Sequence, residues 1–341
     1  MYKSLKLQNF TVFADANFEF VKGVNVYTGA NGSGKTHILK MLYALQKNQV
    51  LAGDPSNRQA LDVTLMSVYK PESLGRLVRR QRGSGACDVF AIWNKKPISF
   101  HLASNLKVVD IGHIWKLTIP PILIPAKDIL GHSKNFIEAY NQVNANGERW
   151  LDFDVTYYDL IVNASPEVSK GPIPAAQEHL LESLRKLMTG TVTKNKSGRY
   201  YLKDSAGQIE FPLVAEGWRK VGLLWTLIRN GSLTKGSILY WDEPEANLNP
   251  IMFPVIAEVL AKLAESGTQV HIATHSYAFL SELEHAATQT NRGFRIFALD
   301  RTKQGVEARP FDRFVDLKPN LILDEYERLY QLTIEEALKG G

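Results

Sequence analysis

Three short stretches hold residue types whose spacing could carry chemistry. Gly29-Ala30-Asn31-Gly32-Ser33-Gly34-Lys35-Thr36 satisfies the pattern G-x-x-x-x-G-K-S/T in full. In such a loop, backbone N–H groups and the N-terminus of the next helix converge on phosphate, the lysine reaches the outer phosphates, and the hydroxyl ligates Mg2+. Gly29, Asn31, Gly32, Ser33, Gly34, Lys35 and Thr36 are therefore candidate nucleotide-binding residues, with Thr36 also a candidate metal ligand. The second stretch, Ile238-Leu239-Tyr240-Trp241-Asp242-Glu243-Pro244, is an apolar run that ends in two carboxylates. Asp242 is placed to hold Mg2+, and Glu243, one residue further into the cleft, to polarise the water that attacks a terminal phosphate. The third, Gln269-Val270-His271-Ile272-Ala273, runs into Thr274-His275-Ser276. The carboxyl ends of strands form the ligand edge of an open α/β sheet, so His275 is placed to reach a γ-phosphate or the water near Glu243. His37, His101, His113, His132, His179, His271 and His285 read as structural.

The elements that must position these residues are legible around them. Leu5 and Leu7, then Phe18 and Phe20, alternate with Lys6, Gln8 and Glu19, which predicts two half-buried strands before Gly23. Val24 to Thr28 is a short apolar strand entering the glycine loop, and Ile38, Met41, Leu42 and Leu45 follow at helical spacing. Strand, loop and helix stand in the order a phosphate loop requires. From Leu51 to Pro212 the pattern is less regular, with strand-like runs at 88–93, 98–102 and 107–111 and a proline-rich passage at Pro120, Pro121 and Pro125. This segment, 51–212, reads as an inserted lobe between core segments 1–50 and 213–341. Helices are expected at 133–140 and 175–188, and a hairpin over 190–211 with turns at Lys196-Ser197-Gly198 and Ala206-Gly207. The tail from Asn320 to Leu338 reads as one or two amphipathic helices.

The chain has 341 residues, 45% hydrophobic and 22% charged, which excludes disorder and collagen-like repeats. Its most apolar stretch, from Ile119, is broken by three prolines, and no run reaches the length of a membrane span, so a membrane partner is not expected. A single cysteine, Cys87, and an N-terminus without the pattern of a secretory signal point to the cytoplasm. The net charge of +5 permits contact with nucleic acid or an acidic partner without requiring it. Arg76, Arg79 and Arg80 are spaced to share a helix face, with Lys70 and Arg82 nearby; this is either a solvated face or a contact surface for DNA backbone or an acidic partner. Phe136 and Tyr140 read as the inner side of a helix.

The elements GANGSGKT, VAEGWRK, ILYWDEPEANLNP and IATHS resemble, in kind and order, those of ATP-binding-cassette (ABC) ATPases, in the soluble branch related to SMC proteins and OLD-family ATPases of bacterial defence systems. The resemblance runs along essentially the whole chain, including SLKLQNFTVF and Leu123-Ile124-Pro125-Ala126-Lys127-Asp128. It implies an α/β fold, a P-loop NTPase head with a mixed sheet, an inserted α+β lobe and no long coiled-coil arm. It also implies ATP and Mg2+ as cofactors, with the nucleotide held between two heads. One head would supply Gly29–Thr36, Asp242, Glu243 and His275, and the other its signature segment, Ala215-Glu216-Gly217, at the start of a helix with Val221, Leu224, Trp225 and Ile228 as a buried stripe. Ala246-Asn247-Leu248-Asn249 would lie where the heads touch. Tyr2, Phe10 and Phe13 lie where this class often stacks the adenine, and fit core packing equally well.

Two departures stand out. The serine usual in the signature is replaced by Ala215, which leaves trans contact to backbone amides or Lys220, and the lobe-linking glutamine has no evident counterpart, with Lys127 or Asp128 near its position. The chain also carries neither an SMC arm nor, after His275, room for the nuclease domain of OLD proteins, so any effector is expected on another chain. The leading expectation is a slow ATPase that forms a homodimer or higher homo-oligomer around Mg-ATP and controls a separately encoded nuclease or toxin. A nucleotide-stabilised scaffold and a DNA repair or recombination ATPase are the alternatives.

Overall fold

The computed structural model describes residues 1–51, 58–80, 85–104, 108–111, 117–145, 153–166, 175–195, 198–318 and 321–339. Arg82, Lys107, His113, Lys196, Ser197 and Asn320 lie outside the described residues. The first part of the chain forms β1 (Tyr2–Phe10), β2 (Phe13–Glu19), β3 (Val24–Thr28), α1 (Lys35–Leu51) and α2 (Arg58–Tyr69). Next come β4 (Ala86–Trp93), β5 (Lys96–Ala103), β6 (Val108–Ile111), β7 (Ile122–Ile124), α3 (Ser133–Ala145), α4 (Val155–Ala164), α5 (Ala175–Met188), β8 (Thr191–Lys194), β9 (Tyr200–Lys203) and β10 (Gln208–Glu210). The last part holds α6 (Glu216–Arg229), β11 (Ile238–Asp242), α7 (Phe253–Ser266), β12 (Gln269–Ala273), α8 (Tyr277–Thr288), β13 (Phe294–Thr302), β14 (Gly305–Phe311) and α9 (Leu321–Lys339).

Among the described residues, a mixed eleven-stranded sheet runs β6-β5-β4-β1-β2-β14-β13-β3-β12-β11-β7, and β10-β9-β8 form a small antiparallel sheet. The half that carries the chemistry, β13-β3-β12-β11-β7, is parallel throughout. Its central strands are buried on both faces, as parallel strands require. Val24 and Val26, Leu239 and Trp241, and Val270 and Ile272 pack into one apolar cluster with α3 to α8. The alternate residues Tyr27, Ile238, Tyr240, Ala273 and Phe297 pack into a second with α1, α2 and the antiparallel strands. A period of two therefore sorts each strand between two cores.

The segment 51–212 is not set apart from the core: it supplies β4, β5, β6 and β7 to the main sheet, leaving α3 to α5 and the small sheet as the part outside it. β7 lies between Pro121 and Pro125, and it is the last strand of the sheet, where prolines are tolerated because their missing N–H faces no neighbour. The tail is one helix, α9. The stretch around Arg76 is a short 3-10 turn over Leu74–Leu77 followed by extended chain at Val78, so Arg76, Arg79 and Arg80 do not share a helix face. Phe136 is buried and stacks on Tyr140 at 5.9 Å. Tyr2, Phe10 and Phe13 are core residues, at most 1% exposed, and none offers a face to a base. α6 is buried on nearly every side from Lys220 to Ile228, because it runs between α5, α4 and the small sheet instead of along the surface. No helix among the described residues is long and apolar enough to cross a membrane.

His271 lies in the middle of β12, stacked near Tyr27 and Tyr240, with its Nδ1 bonded to the Tyr27 hydroxyl at 2.8 Å. Burial holds its pKa down to about 3, so the folded chain keeps it neutral while the unfolded chain protonates it near its ordinary 6.5. The resulting stability is complete above pH 6.5 and is lost as pH falls towards the folded value, at up to about 1.4 kcal/mol per pH unit. Denaturant titrations from pH 7 to pH 5 should show this, and His271→Phe should flatten the slope by about one proton whatever its baseline stability.

Candidate functional site

The chemistry assembles at the carboxyl edge of β3, β11 and β12. β3 ends at Thr28, and Gly29 to Gly34 turn the chain into α1, whose first residues are Lys35 and Thr36. Gly34 has φ of 93°, and a Cβ there would lie 2.6 Å from the Phe13 ring, so the loop closes on β2 only because this residue is glycine. The buried Ser33 hydroxyl has no protein partner among the described residues, which suits a loop built to meet an acceptor from outside the chain. Lys35 Nζ donates to the carbonyls of Gly29 at 2.8 Å and Ala30 at 3.2 Å, so the ammonium lies over the loop. Burial lowers its pKa, while the carboxylates of Glu243, Asp242 and Glu245 oppose the shift.

The Thr36 hydroxyl donates to Asp242 Oδ2 at 2.8 Å, joining residues 206 apart in sequence at the metal end of the loop. Asp242 is 9% exposed, and burial raises its pKa to about 6, with Glu243 pushing the same way and Thr36, Lys35 and Lys40 opposing. A cation at this position would relieve that desolvation directly. Hydroxyl, buried carboxylate and phosphate loop therefore fit Mg2+ bound with a nucleotide. Glu243 follows with φ of 47°, the left-handed region that a non-glycine residue enters at a cost of about 1 kcal/mol or more. Its N–H donates to the Ala273 carbonyl at 2.8 Å, and its carboxylate lies 3.2 Å from His275 Nδ1. The catalytic pair predicted from sequence is thus in contact.

Sequence reasoning passed over Glu245. It is 8% exposed, accepts from the Thr274 hydroxyl at 2.6 Å and from the His275 N–H at 3.2 Å, and so fixes the backbone that presents His275. The only signal was a third carboxylate two residues after Glu243, and its burial depends on the turn at Pro244.

Lys220 is also engaged within the chain. It is 1% exposed and its ammonium donates to the Ala246 carbonyl at 2.8 Å and the Glu243 carbonyl at 3.4 Å, tying the start of α6 to the loop after β11. It is therefore turned inward and is not presented to a second molecule. Ala215, at the N-cap of α6, is exposed and makes no side-chain cap, with Glu216 following in the first turn. Gly217 packs on Asn247 and Leu248: a Cβ there would stand 2.7 Å from the Asn247 carbonyl oxygen. The segment Ala215-Glu216-Gly217 thus adjoins the loop Ala246–Asn249 of its own chain. β7 places Pro125 to Asp128 beside β11, since Ile124 pairs with Trp241. Asp128 is bonded to Arg219 of α6 at 2.7 Å and its side chain is 2% exposed, while Lys127 is exposed.

On the other side of the phosphate loop lies a cavity of about 720 Å³, walled by Thr11 and Val12, by His37 and Tyr69, and by Arg79, Arg80, Arg301 and Lys303. Arg301, one of its walls, also reaches the loop, its guanidinium lying 3.6 Å from where a Cβ on Gly32 would stand.

The fold is that of SMC-type ABC heads, a mixed α/β sheet with a phosphate-loop pattern at its carboxyl edge. One family model, AAA domain, putative AbiEii toxin, Type IV TA system, matches residues 126–281, and another, AAA domain, matches residues 4–58. Among solved structures, an SMC head bound to the C-terminal winged-helix domain of ScpA superposes with TM-score 0.58 at 13% identity, covering 93% of this chain and 99% of the other. The SMC head with an extended coiled coil from Pyrococcus furiosus, bound to the C-terminal domain of ScpA, gives 0.56 at 11% identity over 96% and 99%. At those identities the likeness is one of fold. The DNA replication and repair protein RecF of Streptococcus suis is 32% identical over 111 residues, 32% of this chain, which spans about a quarter (26%) of that relative's length.

The close packing at Gly217 has a measurable consequence. Gly217→Ala must displace the Asn247 backbone and should cost about 1–3 kcal/mol of stability, as overpacked sites do. A thermal midpoint equal to the wild-type value would show that α6 and the loop after β11 are less tightly joined than their geometry indicates.

Proposed function

We propose that this chain is a Mg2+-dependent ATPase head that assembles with a second copy around bound ATP, hydrolyses it slowly, and uses the cycle to control a separately encoded effector. The observation that carries the hydrolytic reading is the Glu243–His275 contact at 3.2 Å, held at the same sheet edge as the Thr36–Asp242 bond. Gly29 to Thr36 would hold the phosphates, and Thr36 with Asp242 the metal, which supplies charge neutralisation at the β- and γ-phosphates. Glu243 orients a water whose oxygen bonds to the γ-phosphorus as the bridging P–O bond to the β-phosphate breaks, leaving ADP and inorganic phosphate. His275 would donate to the γ-phosphate, its backbone held by Glu245. The base and ribose would occupy the cavity between Val12 and Arg79.

Assembly with a second copy is supported by the N-terminus of α6, exposed at Ala215, a fixed positive dipole beside the loop Ala246–Asn249. A defence-type role, with a nuclease or toxin on another cytoplasmic chain, is supported by the wording of the matching family model and by the ScpA segments that SMC heads of the same fold bind. A second reading, a head acting in DNA repair, is favoured by the cationic wall of Arg79, Arg80, Arg301 and Lys303 and by the relative named a DNA replication and repair protein.

Glu243→Gln should lower turnover by roughly two to three orders of magnitude while leaving ATP bound. Light scattering on that variant should show its mass double with Mg-ATP; a mass that never changes, or undiminished turnover, overturns the switch. The repair reading requires DNA binding that weakens steeply with salt and is lost when Arg79 and Arg80 are replaced; no DNA binding at low salt removes it.

A further inference from the structure

α4 brings a side chain to the metal end of the site that sequence reasoning did not consider. The direction of this helix is fixed at both ends. At its C-terminal end the Asn163 amide donates to the Pro121 carbonyl, just before β7 begins. At its start the Asp154 carboxylate caps the Thr156 N–H at 2.9 Å and pairs with Lys40 of α1 at 2.6 Å. Lys40 lies one helical turn after Thr36, on the same face of α1. The first turn of α4 therefore stands at the carboxyl edge of the sheet, joined to the phosphate helix through Lys40.

Tyr157 occupies that turn. It is partly buried, with its ring edge-on to Phe153 at 5.0 Å, and Phe153 is edge-on to Phe136 at 5.3 Å. The ring is thereby held by aromatic packing while the hydroxyl extends from it. Burial raises its pKa to about 12, with Asp154 and Asp242 pushing the same way, so the phenol remains a donor and lies within the field of the metal-binding carboxylate. Other buried tyrosine hydroxyls are engaged inside the chain: Tyr2 on Leu42, Tyr69 on His37, Tyr200 on Ala164 and Tyr240 on Gln46. The Tyr157 hydroxyl has no hydrogen-bond partner among the described residues. The loop after β7, which passes the same edge, offers no free polar group in its place, since Asp128 is bound to Arg219 and Lys127 points to solvent.

We propose that Tyr157 is a positioning residue of the Mg2+-nucleotide site, its hydroxyl donating a hydrogen bond to a water of the metal's shell beside Asp242. This rests on the ATPase reading above. The hydroxyl adds nothing to nucleotide affinity when the metal is absent and contributes only once the hydrated ion is present. It also makes the helix outside the main sheet a wall of the site, so that α4 and the phosphate helix α1 are joined through Lys40 and Asp154 on one side and through the metal's water on the other.

The test is Tyr157→Phe, which removes one oxygen and keeps the ring. Binding of a fluorescent non-hydrolysable ATP analogue is titrated to wild type and variant, in EDTA and in Mg2+, with thermal melting as the check on folding. The expected result is equal affinity in EDTA and a Mg2+-dependent gain that is smaller in the variant by about five- to tenfold, the worth of one hydrogen bond. A Mg2+-dependent gain equal to that of wild type overturns the proposal, as does an equal loss with and without metal. Wild-type protein that binds no analogue in either condition overturns the ATPase reading itself, a result distinct from the other two.

Discussion

Burial of the central strands on both faces is the constraint from which the site follows. β3, β11 and β12 have every residue inside the protein, and the one carboxylate or ammonium among them is Asp242 at the last position of β11. Polar chemistry is confined to the strand ends, and the right-handed crossovers of a parallel sheet bring the carboxyl ends of all three to one edge. There the phosphate loop leaves β3, the carboxylates leave β11 and His275 leaves β12. The Thr36–Asp242 bond closes this arrangement by tying the first turn of α1 to the end of β11.

Around that edge the backbone is held more tightly than packing alone demands. Glu243 occupies a left-handed conformation, and Asn247 does so four residues later. These conformations are supported by the Glu243 N–H on Ala273, by Glu245 on Thr274 and His275, and by the Lys220 ammonium on the carbonyls of Glu243 and Ala246. A buried lysine and a buried carboxylate thus stabilise a strained loop from opposite sides. The charges keep each other's desolvation in check: burial lowers the pKa of Lys220, and Glu216 and Glu245 oppose that shift.

The same contacts join the start of α6 directly to the loops around the candidate site. Its first turn touches the loop after Glu243 through Gly217 and Lys220, and its Arg219 grips Asp128 in the loop after β7. Ala215 at the N-cap makes no side-chain bond to the first turn of α6.

The phosphate loop, Asp242, Glu243 and His275 were legible in the sequence because each is local: a glycine pattern, or an apolar run of strand length ending in a polar residue. The strands β3, β11 and β12 and helices α5 and α6 were legible for the same reason, since periodicity of two or 3.6 is written within the element. The boundaries of the insertion were not, because whether β4 to β7 join the main sheet depends on pairings across the chain: β1 with β4, and β7 with β11. The Arg76–Arg80 stretch misled for a related reason, since its spacing suits a helix but its residues pair with Asn9 and Gln304, far away in sequence. Sequence alone thus determined the phosphate-loop pattern and where β3, β11 and β12 end. Tertiary structure decided that Glu245 is buried, that Lys220 faces inward and that α4 packs beside β7 and joins α1 through Asp154 and Lys40. Each of those outcomes is fixed by contacts between segments dozens to hundreds of residues apart, which no local pattern records.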